Sequence, residues 1–182
     1  MFSTSTYTLR RAQLTERIKT GLLLFPGNEE SSMNYLDNTY RFRQDSTFLY
    51  YFGFHDRAGL AAVIDADAGT TTIYGEELTL DDIVWTGPMP TIKEQATKAG
   101  ITQTGTMAEL VALLSKAVEQ GRAIHYLPPY RPEHTIKYYH WLGIEPGAQK
   151  EQVSLDLIRA VVDQRNIKSE EEIALLDRAA AI

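Results

Sequence analysis

Tyr35-Leu36-Asp37-Asn38-Thr39-Tyr40-Arg41-Phe42-Arg43-Gln44-Asp45-Ser46-Thr47-Phe48-Leu49-Tyr50-Tyr51-Phe52-Gly53-Phe54 gathers eight of the chain's eighteen aromatic residues into one segment. Its second half, Phe48 to Phe52, is an unbroken apolar run, and composition reads such a run as a strand covered on both faces. In the first half Arg41, Arg43 and Asp45 alternate with Tyr40, Phe42 and Gln44, the pattern of a half-buried strand leading into the buried one. Charges so close to a buried element are costly unless paired, so Arg43 and Asp45 are expected to have partners.

Outward from this segment, the N-terminal side reads as a helix over 8–19, stopped by Gly21. A buried strand follows at Leu22-Leu23-Leu24-Phe25, ended by Pro26-Gly27, and then a polar, mobile loop over 28–34. On the C-terminal side, apolar residues over 59–65 and the β-branched run over 70–74 flank the turn Asp65-Ala66-Asp67-Ala68-Gly69, which predicts a hairpin. The period then changes. Thr91 with Glu94, Thr106 with Glu109 and Ser169 with Glu172 have the spacing of capping boxes that open helices. A strand is expected over 123–127 before Pro128-Pro129, a helix between Pro132 and Gly143, and another over 154–164. No repeat or low-complexity segment is present. The simplest architecture is a mixed sheet with helices packed on it. The last helix, with Ile173, Leu176 and Ala180 on one face, carries no stop signal before Ile182, so more chain is expected after it.

The 182 residues are 43% hydrophobic and 23% charged, with net charge −6 and no basic block. That balance argues against a nucleic-acid footprint and against docking on an anionic membrane. No stretch approaches the ~20 apolar residues of a membrane span. Met1 to Thr6 has neither the basic nor the apolar region of a signal peptide, so a cytoplasmic location is expected. The absence of cysteine removes disulfides, thiolate nucleophiles and Cys-based zinc sites. His55, His125, His134 and His140 lack the spacing of a helical metal site and read as structural or surface residues. Asp65 and Asp67 are explained by turn chemistry. No Gly-rich phosphate loop and no nucleophile elbow occurs, so no metal site and no catalytic constellation is expected in the chain itself. Trp85, beside Thr86-Gly87-Pro88-Met89-Pro90, reads either as a contact on a rigid loop or as the plug of a strand end.

The order of residues adds what composition does not. Asn38 to Phe54 resembles the signature of the N-terminal domain of aminopeptidase P, the Xaa-Pro aminopeptidases, roughly N-D-x-Y-P-F-R-Q-D-S-D-F-x-Y-L-T-G-F. The positions that carry the match are Tyr40, Phe42, Arg43, Gln44, Asp45, Ser46, Gly53 and Phe54, while Arg41 stands where the family usually has proline. Asp81 to Gly87 is similar to the family's E-x-W-x-G element, and Arg165 to Ile173 to the R-x-x-K-S-x-x-E-I hinge that opens its catalytic domain.

The resemblance implies an α/β fold, a mixed β-sheet flanked by helices with ribonuclease-H-like topology, as in the creatinase/prolidase N-terminal domain. It implies a non-catalytic domain over 1–165, and over 166–182 the hinge and first helix of a catalytic domain otherwise absent. Two manganese ions would bind in that absent domain, and none here. The partners implied are the chain's own C-terminal catalytic domain, further copies in a homo-oligomer and, in the full-length protein, a peptide substrate. Trp85 matches the family's Trp that reaches toward a neighbouring subunit's active site, and Asp37 matches an acid on the substrate side. A prolidase, a creatinase-like amidinohydrolase and a non-catalytic peptide-binding module are the alternatives.

Overall fold

The computed structural model describes residues 2–181. Five strands form one sheet in the order β6-β5-β4-β1-β7. β1 (Leu22–Pro26), β4 (Ala61–Asp65) and β5 (Thr70–Tyr74) are an antiparallel meander, with Leu24 opposite Val63 and Val63 opposite Thr72. β7 (Ile124–Tyr126) runs parallel to β1, and the short β6 (Gln103–Gly105) runs parallel to β5. A meander with a parallel strand beside its first member is a mixed sheet flanked by helices, as the family resemblance implied. β6 was not anticipated: its three residues, Gln103-Thr104-Gly105, carry no apolar period.

β1 is buried at every position, and its alternation divides the core. Leu23 and Phe25 face a cluster built with α1 (Thr4–Arg17), α2 (Ser46–Phe52), α4 (Ile92–Lys98) and α7 (Leu155–Asn166). Leu22 and Leu24 face a second cluster built with α5 (Met107–Glu119) and α6 (Pro132–Leu142). A strand covered on both faces has no polar side to show, hence the continuous run Leu22-Leu23-Leu24-Phe25.

The aromatic run Phe48 to Phe52 is not a strand but the body of α2. A short apolar run does not distinguish a buried strand from a buried helix, and here the ends decide. At the N-terminus Asp45 Oδ1 accepts from the Thr47 and Phe48 amides at 2.9 and 2.8 Å. At the C-terminus Gly53 adopts φ +74°, and its amide closes on Leu49 O at 3.0 Å. A Cβ at Gly53 would lie 2.6 Å from the Tyr7 ring, so both the backbone and the space demand glycine. Two arginines of α1 then take carbonyls of the last turn: Arg10 Nη1 donates to Tyr50 O and Arg11 Nη1 to Tyr51 O, each at 2.9 Å. Cations there also favour the negative end of the helix dipole. Between the caps, Phe48, Tyr51 and Phe52 are fully buried, with the Phe52 ring 5.5 Å from that of Phe25.

All three anticipated capping boxes are formed, at Thr91–Glu94, Thr106–Glu109 and Ser169–Glu172, the last opening α8 (Glu170–Ala180). The first helix begins earlier than its apolar period indicated, at Thr4, because Ser3 caps it. The expected polar loop at 28–34 holds a buried Asn28 and the start of a small hairpin, β2 (Ser32–Tyr35) with β3 (Asn38–Thr39).

Removing the Phe52 ring empties the seam between α2 and β1. Phe52→Ala is expected to cost about 3–5 kcal/mol in denaturant unfolding. Tyr40→Ala, at a side chain 60% exposed, should change stability by no more than about 0.5 kcal/mol. Equal losses from the two variants would contradict the helical packing.

Candidate functional site

The signature residues divide into an inner and an outer set. Gln44 is 3% exposed and joins three segments. Its Oε1 accepts from the Asn28 and Asp45 amides at 2.8 and 2.9 Å, and its Nε2 donates to Arg57 O at 2.9 Å. Arg57 in turn reaches Pro90 O, Glu76 O and the Glu77 carboxylate. Phe54 is buried beside Phe48. Ser46, the first residue of α2, is exposed. Phe42 is half-buried. Arg43 has an exposed side chain without an ion pair among the described residues; only its carbonyl is engaged, by Asn28 Nδ2 at 2.9 Å. Of the two charges expected to need partners, Asp45 has them and Arg43 stays in water, where it needs none.

Asp45 also opens onto a crevice of about 240 Å³ at the C-terminal ends of the parallel strands β1 and β7. Crevices at strand carboxyl ends are where open α/β sheets commonly bind ligands. Apolar residues, among them Phe25, Val161 and Val162, make its walls, and Asp45, Tyr130 and His134 supply polar groups. Tyr130 donates to Asp45 Oδ2 at 3.0 Å. His134 is 3% exposed, and its Nε2 meets Gly27 O at 3.3 Å, an oxygen that Lys137 Nζ also reaches at 3.1 Å. Burial holds the His134 imidazolium pKa below its ordinary value, with Lys137 and Arg131 adding to the effect and Asp45 opposing it. His125, on β7, bridges Ser154 Oγ and Thr20 O. The structural reading of these two histidines therefore holds.

The outer set is more exposed. Asp37 lies at the exposed turn of the β2–β3 hairpin, near Tyr35 and Leu36, which are 75% and 83% exposed, and Tyr40 follows that hairpin. Trp85 sits on neither a loop nor a strand end. It belongs to α3 (Leu80–Thr86), which buries none of its residues, and it is 88% exposed. Thr79 and Asp82 form a fourth capping box there, and Gly87 ends the helix. That Thr-x-x-Asp spacing was the available signal for α3; the Gly and prolines that follow obscured it. Asp37 and Trp85 are carried by separate elements, and neither forms part of the Gln44–Asp45 network.

The junction between α7 and α8 is anchored by polar contacts. Arg165 Nη1 donates to Thr47 Oγ1 at 3.1 Å. One Glu172 carboxylate serves two purposes: Oε2 caps α8 through the Ser169 amide, and Oε1 lies 3.4 Å from Arg10 Nη2. The Arg10 guanidinium stacks 3.8 Å from the Tyr50 ring centre and 4.5 Å from that of Phe2. Beyond this anchor α8 buries none of its residues, and Ile173 and Leu176 remain about half exposed. Among the described residues no three His, Asp or Glu side chains converge where a metal ion could be held. Asp65 and Asp67 are instead occupied by turn amides and by Arg122.

Comparison with known proteins gives this geometry its context. The family model described as aminopeptidase P, N-terminal domain, matches residues 7–125. The chain belongs to the aminopeptidase P N-terminal domain family. Among solved structures, the low-pH form of aminopeptidase P from E. coli superimposes with a TM-score of 0.78 at 21% identity, covering 100% of this chain and 43% of that one. An E. coli aminopeptidase P variant in complex with substrate gives 0.76 at 20% identity, covering 98% and 42%. Pseudomonas aeruginosa aminopeptidase PepP gives 0.76 at 20%, covering 95% and 40%. The chain thus spans less than half the length of these structures, and the likeness concerns the fold. No curated protein matched the sequence.

Within this aminopeptidase P N-terminal domain, His134 imposes an acid limit. The unfolded chain binds a proton at this residue below about pH 6.5, whereas the folded chain resists it. Stability is therefore lost as pH falls through that value. The melting temperature should drop more steeply on the acid side for the native chain than for His134→Gln. Parallel declines in the two proteins would assign the acid sensitivity to other groups.

Proposed function

We propose that this chain is the N-terminal, non-catalytic domain of a manganese-dependent Xaa-Pro aminopeptidase, an enzyme that removes the first residue of peptides with proline second. Its tasks are to gate the active site and to support a homo-oligomer. Residues 1–165 form the domain; 166–182 are the hinge and first helix of the catalytic domain, which holds the two manganese ions. The described residues offer no ligand set, so no step of the hydrolysis is assigned to them. The location is the cytoplasm, and no helix among the described residues is long and apolar enough to cross a membrane.

The observation that carries this reading is α3. A seven-residue helix with no buried side chain gains nothing from the domain's own core, yet it presents Leu80, Val84 and Trp85 at 80–88% exposure. Such a patch is stabilised by what it meets elsewhere, and tryptophan is the residue type that most often dominates such contacts. In the gating role Trp85 stands at the mouth of a neighbouring subunit's site. Its bulk excludes long chains, while the exposed Asp37 carboxylate faces a peptide's free amine. The half-exposed apolar face of α8 is covered by the chain's own catalytic domain.

In the full-length parent, Trp85→Ala should leave stability within about 0.5 kcal/mol of native while broadening the range of peptide lengths cleaved. A large fall in melting temperature with unaltered length preference would make Trp85 a structural residue and reject the gating role.

A further inference from the structure

A second cavity lies away from the strand-end crevice. It is a groove of about 320 Å³ between α1 and the edge formed by β5 and the α4–β6 connection. Thr8, Arg11, Ala12 and Thr15 line one side, at the i, i+3, i+4, i+7 positions of a single helix face. Thr70, Thr71 and Thr102 line the other, and no carboxylate lines it.

Arg11 is the only charged residue in that lining, and it is 6% exposed. Its hydrogen bonds all go to carbonyls: Tyr51 O at 2.9 Å, Ala99 O at 2.7 Å and Gly100 O at 3.4 Å. It forms no ion pair among the described residues. A guanidinium has five N–H donors in a planar fork, so these bonds do not exhaust it. Carbonyl dipoles satisfy hydrogen bonds without cancelling the positive charge, and a buried cation without a counter-ion is costly. Burial lowers the Arg11 pKa to about 10, which leaves the group charged at neutral pH. The hydroxyls of Thr70, Thr71 and Thr102 donate to no acceptor among the described residues. The groove therefore combines an uncompensated cation with unused neutral donors.

We propose that this groove binds a small oxyanion, a phosphate or a carboxylate group, held by the Arg11 guanidinium and the hydroxyls of Thr71 and Thr102. With both terminal nitrogens engaged by carbonyls, the guanidinium offers its positive charge and a remaining N–H rather than a bidentate fork, and the threonine hydroxyls supply the other donors. With a net charge of −6 the chain as a whole repels anions, so any uptake has to come from local, saturable contacts rather than from a general positive field.

The test is an amide NMR titration of the 182-residue chain with sodium phosphate and, separately, with sodium succinate, each against sodium chloride at equal ionic strength. The expected result is saturable shifts centred on Gly100, Ile101 and Thr102 with one of the two anions, at millimolar or lower concentration; the tighter anion identifies the group recognised. The isosteric double variant Thr71→Val/Thr102→Val should keep the native spectrum and weaken binding about tenfold, as expected for two lost hydrogen bonds. Arg11→Lys, where it folds, should weaken it further. Shifts that chloride reproduces, that never saturate, or that the threonine variant leaves unchanged would overturn the proposal.

Discussion

The seven residues of α2 are held at both ends by side chains of opposite charge, and most of the structure is arranged around that fact. Asp45 takes the first free amides, while Arg10 and Arg11 take the last free carbonyls. A helix this short does not persist in isolation, because nucleation costs more than so few hydrogen bonds return. Fixed between its caps, it lays Phe48, Tyr51 and Phe52 against β1 and so closes one of the two core clusters. The same charged groups extend outward. Asp45 reaches Tyr130 at the strand-end crevice, Arg10 reaches Glu172 in α8, and Arg11 reaches the end of α4. Carbonyls accept from both buried guanidiniums, but only Arg10 is also met by aromatic rings and by the Glu172 carboxylate.

The sequence displayed much of this, and it failed where two periods coincide. β1, β4, β5 and β7 and the three capping boxes followed from local patterns whose cause is local: alternation, turn residues, and side chains that satisfy helix-end amides. Phe48 to Phe52 misled because a helix buried nearly all round shows no polar stripe. The deciding groups, Arg10 and Arg11, lie some forty residues away. α3 was concealed for the opposite reason, having no core-facing residue to set a period. Its boundary signal, Thr79 with Asp82, was present all the same. Of the signature, the order of residues marked Gln44, Asp45, Gly53 and Phe54, which in the fold hold a three-segment junction, cap both ends of α2 and fill the core beside Phe48. The crevice beside His134 was beyond reach, since Asp45, Tyr130 and His134 come from well-separated parts of the chain.

The contrast between the inner and outer residues bears on function. The signature residues inside the domain are engaged in packing, caps and hydrogen bonds, and Asp45 also faces the strand-end crevice. Among the described residues, half of the exposed large apolar side chains lie on α3, α8 and the β2–β3 hairpin, elements that contribute no buried residue.

Amide hydrogen exchange followed across a range of denaturant tests this division most directly. The amides of Leu49 to Gly53 should exchange only through global unfolding, with the same denaturant dependence as the β1 amides, whereas those of α3 and α8 should exchange through local opening. Rapid, denaturant-independent exchange in α2, or α3 protected to the level of β1, would contradict the account.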